Sequence, residues 1–135
     1  MKLLAKITIW LLALVLMPLP DAGSSAAMRP EVSFRKVGLA SWYSEFSPGI
    51  RDTTANMERF DDSGLTCAMW DIDFNSIVKV TNLENGKSIY VRVNDRGPAK
   101  RLVEKGRIID LTMGAFSRIA DLEKGLARVK VEIVL

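Results

Sequence analysis

Residues 79–98 read KVTNLENGKSIYVRVNDRGP, and this stretch decides the fold class. Val78 and Val80 point one way and Lys79 and Thr81 the other. After a polar turn from Asn82 to Gly86, Ile89, Val91 and Val93 alternate with Ser88, Tyr90 and Arg92. Two period-2 runs around a short Asn-Gly loop specify a β-hairpin with one buried face. The C-terminus repeats the pattern: Ala127, Val129, Val131 and Ile133 form one face, and Arg128, Lys130 and Glu132 the other. Half-buried strands of this kind belong to a small barrel or sandwich. Between the two regions the sequence predicts one short helix. Thr112 is its N-cap, Phe116, Ile119 and Ala120 recur at helical spacing, and Gly125 lies beyond its end.

Outward from this core, the N-terminus has a different grammar. Lys2 and Lys6 precede an apolar run from Ile7 to Leu19, and small residues follow at 22–27. Positive, apolar and small in that order is the pattern of an export signal. The run is 13 residues long, whereas a membrane-spanning helix needs about 20. Residues 1–27 are therefore expected to be a cleaved signal peptide, 28–36 a lead-in and 37–135 one domain. A retained membrane anchor is the alternative, and no stable membrane insertion is expected once the signal is removed. The one cysteine, Cys67, lies far from the signal region, so the expected product is periplasmic or secreted and not a lipoprotein.

Composition excludes several classes. The net charge is +3, falling to +2 without Lys2, Lys6 and Asp21, and the charges are interspersed. No basic block calls for nucleic acid. The lone cysteine, Cys67, forms no internal disulfide and reads as a small buried residue. With no histidine in the chain, Ser-His and Cys-His units are excluded, and a zinc site is argued against. No metal and no cofactor is expected.

Carboxylates must then do any acid–base work. Asp95 stands where the strand ends in a turn closed by Gly97 and Pro98, so a rigid wall would present it. Capping that turn is the other reading. Asp110 follows Ile108 and Ile109, which predicts partial burial and a raised pKa; it also suits a helix N-terminus. Glu58 sits between polar flanks, where an ordinary surface role competes with a functional one. Trp42 and Tyr43 are either core residues or a platform for a sugar ring.

Taken in order, GLASWYSEF, TTANMERFDD, LTCAM, the 79–98 stretch, GRIIDLT and LARVKVEIV resemble the rare lipoprotein A family over about residues 37–134. The resemblance implies an all-β domain, a six-stranded double-psi β-barrel with one or two short helices. It implies lytic cleavage of peptidoglycan glycan strands between N-acetylmuramic acid and N-acetylglucosamine, leaving 1,6-anhydro ends. Carried over to this chain, Asp95 is the acid–base candidate, Glu58 a second acidic position, and Asp110 an aspartate shared with expansin-type barrels. Met69 stands where the family carries histidine, and it is expected to line the groove. Ser41, Trp42, Tyr43, Met69, Asn94 and Arg96 are the expected substrate contacts. Two other functions compete: a non-catalytic, expansin-like wall-binding barrel, favoured by Met69, and a hydrolase using Asp95 and Asp110 with water.

Overall fold

A computed structural model describes residues 31–134; the expected signal segment lies outside the described residues. Six strands close into a barrel: β1 (Val32–Tyr43), β2 (Thr66–Ala68), β3 (Ile77–Asn82), β4 (Ser88–Asp95), β5 (Arg107–Thr112) and β6 (Leu126–Val134), in the order β1-β5-β2-β4-β3-β6. The β1–β5 and β2–β4 pairs are parallel and the other four antiparallel. This is the expected double-psi barrel.

The hairpin is β3 and β4, with Val78 opposite Val91 and Val80 opposite Ile89. Its loop closes through the Gly86 amide on the Asn82 carbonyl at 2.8 Å, and Gly86 adopts φ 74°, a conformation that costs glycine little. Val78, Val80, Val91, Val93, Val129 and Val131 are fully buried, so the period-2 faces meet inside the barrel. Each such side chain contributes about 1.5–3 kcal/mol on burial. Ile109 and Leu111 of β5 join them, as do Phe116 and Ile119 around helix α2 (Met113–Ser117). Thr112 caps α2 as expected, its side chain accepting from the Ala115 amide at 3.2 Å. A second short helix, α1 (Lys100–Val103), links β4 to β5. Cys67 is free and fully buried.

The lead-in needs correction. From Val32 it is already β1, paired with β6 from Val134 inward. The first residues of β1 are mostly exposed on both faces, so hydrogen bonding to β6, rather than burial, makes them a strand.

Candidate functional site

Four strands carry one row of residues across the barrel wall. Ser41 of β1 is opposite Asp110 of β5, Asp110 is opposite Ala68 of β2, and Ala68 is opposite Asp95 of β4. Register partners send their side chains to the same face. Asp95 reaches this row through an irregularity. Val91 and Val93 point into the core, and simple alternation would send Asp95 after them. The β2–β4 register shifts between Cys67 and Ala68, and such a bulge re-aims the next side chain.

Asp95 then faces a cleft of about 660 Å³, walled by residues 49–55, Met57 and Arg96. Its Oδ1 accepts the Ala55 amide at 3.0 Å and the Arg96 amide at 2.9 Å. One oxygen of Asp95 thus caps backbone at its own turn and on the 49–55 loop, and the residue lines the cleft. At the rim, Met57 is 81% exposed with φ 71°, a left-handed conformation that is uncommon for a residue with a Cβ.

Asp110 is more enclosed. Ser41 Oγ donates to its Oδ1 at 2.5 Å, and Arg107 donates to that Oγ at 3.1 Å. A Cβ added at Gly97 would lie 3.3 Å from Asp110 Oδ2 and 3.2 Å from the Ala68 methyl, so the glycine admits close approach. Burial pushes the Asp110 carboxyl above its ordinary range, against the Ser41 hydrogen bond and the Arg107 charge; Asp95 adds to the rise. The expected burial of Asp110 and its raised pKa are both present.

Tyr43, two residues beyond Ser41, is 7% exposed and stacks on Phe60 with centroids 4.9 Å apart. Its hydroxyl has no hydrogen-bond partner among the described residues. Burial foremost, then the charges of Asp95, Cys67 and Asp110, hold the phenol far above its usual range. Its phenol is neutral and feels the charge of both aspartates, and its ring is buried against Phe60 rather than open to a sugar.

Glu58 differs from the expectation of a second catalytic carboxylate. Arg92 grips it bidentately at 2.6 and 2.9 Å, and Asn56 and Asn94 donate at 2.9 and 3.2 Å. The Arg92 bonds, with those from Asn56 and Asn94, pull its pKa down to about 2. A carboxylate so held stays ionised at neutral pH and offers no proton. What it does is hold the cleft loop: the Glu58 carbonyl accepts the Thr54 amide at 2.8 Å, and Asn56 bonds the Asn94 carbonyl at 3.3 Å. Between them lies Ala55, whose amide fixes Asp95.

Several expected substrate contacts are spent elsewhere. Met69 is 2% exposed in the hydrophobic core, not on the cleft; only its backbone amide meets Asp95, at the carbonyl oxygen, 3.2 Å away. Strand alternation turns Trp42 away from Ser41 and Tyr43, and its indole N–H bonds the Leu122 carbonyl at 3.0 Å. Asn94 is buried behind the cleft, bonded to Glu58. Arg96 lines the cleft, but one guanidinium nitrogen donates to the Met69 and Ile72 carbonyls at 2.9 and 2.7 Å, and the group sits 3.8 Å from the Phe74 ring centroid. Ser41 is buried and serves Asp110. Sequence reasoning missed the cleft wall at 49–55, Arg92 and Arg107. Nothing local marks them, because each acts through a partner distant in the chain.

Comparison with known proteins gives a consistent picture. The family described as lytic transglycolase matches residues 35–131. The chain is 42% identical over 127 residues to "Endolytic peptidoglycan transglycosylase RlpA" of Pseudomonas aeruginosa strain UCBPP-PA14, covering 85% of this chain and 36% of that protein. To "Probable endolytic peptidoglycan transglycosylase RlpA" of Synechocystis it is 46% identical over 99 residues, 73% of this chain and 29% of that one. The chain thus spans about a third of the length of these relatives. Among solved structures, the Streptomyces papain inhibitor superposes with TM-score 0.59 at 21% identity, over 79% of this chain and all of that one. A Clavibacter michiganensis expansin superposes with TM-score 0.59 at 18% identity, over 76% of this chain and 51% of that one. These two share the barrel fold.

Proposed function

We propose that this chain, which belongs to the lytic transglycolase family of double-psi barrels, cleaves peptidoglycan glycan strands with formation of 1,6-anhydro-muramoyl ends. The observation that carries the reading is the Ser41–Asp110–Ala68–Asp95 row, with Asp95 alone of its carboxylates opening on the cleft. In this reaction the protonated Asp95 carboxyl gives its proton to the glycosidic oxygen as the bond from C1 breaks. The muramoyl 6-hydroxyl then closes on C1 and returns a proton to the same carboxylate, so no water is consumed. The two backbone amides on Oδ1 hold the carboxyl in place, which is the positioning such a step requires. Asp110 is a like charge behind it, and the Tyr43 hydroxyl is a donor available to the pair. Glu58 is a positioning residue: through Arg92 and the 54–58 turn it sets the Ala55 amide that orients Asp95.

The hydrolase reading needs a second carboxylate open to a water on the far side of the sugar. Asp110 is bonded to Ser41 and covered by Gly97, so it is poorly placed for that role. The wall-binding reading draws on the buried Met69 in place of a polar residue. Substrate in the cell wall agrees with an exported protein, periplasmic or secreted. Mass spectrometry of digested glycan strands separates the three: anhydro ends for a transglycosylase, reducing ends for a hydrolase, and no new ends for a binder.

A further inference from the structure

Beside the row, on the Met69 side, lies a smaller cavity of about 130 Å³. Lys36, Lys100 and Arg107 line it together with Phe34, Trp70 and a single acid, Asp71. Among the described residues none of the three cations makes an ion pair; the pairs present involve other basic residues. Two of the three are instead fixed by neutral groups. The Lys100 ammonium sits 3.8 Å over the Trp70 ring, and that ring is held by its indole N–H on the Pro98 carbonyl at 2.6 Å. Arg107 is tied to Ser41 Oγ at 3.1 Å. Three like charges drawn to one small cavity repel each other; among the lining residues only Asp71 is acidic, and Asp110 meets Arg107 through Ser41 from outside it. Their arrangement is that of a receptor for an anion. The aromatic and aliphatic walls suit an apolar stem, and the volume admits one short group rather than a sugar ring.

The cavity also adjoins the reacting centre. Arg107 reaches Asp110 through Ser41, and the amide of Met69, which lines the cavity, bonds the Asp95 carbonyl. We infer that this cavity receives a carboxylate carried on a short saturated arm of the glycan, next to the bond being cut. The assignment to glycan rests on the function proposed above. Two sources supply such a group: the lactyl carboxylate of a denuded muramoyl residue, and a carboxylate of an attached stem peptide.

Binding is tested without turnover. The full chain is titrated at constant ionic strength with propionate, propionamide or inorganic phosphate while the indole N–H resonances of Trp70 and Trp42 are followed. Propionate shifts Trp70, which lines the cavity, saturably and leaves Trp42, which does not line it, still; propionamide shifts neither. The Lys36→Gln, Lys100→Gln double variant binds propionate about tenfold more weakly, the scale of losing two exposed ion pairs. An equal response to propionamide, an unchanged affinity in the double variant, or a response to phosphate alone overturns the carboxylate site. These outcomes hold whether or not the chain cleaves glycan, so they are separable from failure of the proposed reaction. On strands, loss of the two charges raises KM about tenfold with kcat nearly unchanged, the sign of lost uniform binding. The effect on denuded strands alone identifies the lactyl carboxylate, and on peptide-bearing strands alone the stem peptide. Unchanged KM on both, or unchanged strand binding if the protein is inactive, overturns the subsite.

Discussion

Replacing Tyr43 by phenylalanine separates stability from function at this site. The ring is 7% exposed and stacked on Phe60, and phenylalanine preserves both the shape and the stack. Only the hydroxyl is lost, and it has no partner among the described residues. A buried hydroxyl without a hydrogen bond carries a desolvation penalty of about 1–3 kcal/mol. In a domain of roughly 100 residues, each kcal/mol corresponds to about 4–8 °C in Tm. Tyr43→Phe should therefore melt about 4 °C or more above wild type. Activity should move the other way. A hydrogen bond to a charged group is worth about 1.5–3 kcal/mol, so if the hydroxyl serves the aspartate pair during turnover, the rate should fall about 10–100-fold. The assay is a thermal melt followed by circular dichroism, beside anhydro-muropeptide release from purified strands. A lower Tm with full turnover would mean that the hydroxyl is already bonded within the fold and plays no part in the site.

Asp110→Asn keeps an acceptor for Ser41 and removes a charge that burial disfavours. Because the folded-state pKa is raised, wild type loses stability as pH climbs from the ordinary carboxyl value of 3.8 through that raised value; denaturation at a series of pH values should find this loss absent in the variant. Glu58 titrates in the opposite sense: its folded pKa of about 2 lies below the ordinary 4.5, so its stabilisation is present above pH 4.5 and lost as pH falls toward 2. Glu58→Gln should flatten that acid limb in denaturant titrations, and by loosening the Ala55 amide it should lower kcat more than it changes KM. Met69→His buries an imidazole in the core at a cost of about 1–3 kcal/mol, so the variant should melt lower and release no more anhydro product than wild type.

The hairpin and β6 were legible because each strand buries one face, which leaves a period of two in the residues themselves. The cap of α2 was legible because Thr112 acts on an amide three residues away. β1 starts earlier than its sequence pattern shows: residues 32–37 carry little burial signal, and their strand state comes from β6, almost a hundred residues on. β2 has only three residues and no room for a pattern. The site divides in the same way. Asp95 was visible from its turn and Asp110 from its apolar approach. The tie of Glu58 to Arg92, 34 residues away, and of Arg107 to Ser41, 66 away, exist only once the barrel closes. The inward turn of Met69 was hidden for a related reason. A methionine beside a strand end suits groove and core equally, and the packing of the barrel decides between them.

Asp95 is the proposed acid–base residue of an anhydro-forming cleavage. The most direct test of that role is mass spectrometry of the ends released from purified glycan strands by wild type and Asp95→Asn, with melting temperature as the control for folding. Asparagine can still accept the Ala55 and Arg96 amides through its oxygen, but it has no proton to give. General acid–base catalysis is worth about 10²–10⁴-fold. Wild type should release 1,6-anhydro ends, with a loss of that order in a variant that stays folded. Undiminished anhydro release from a folded Asp95→Asn protein, or reducing ends from wild type, would contradict that role.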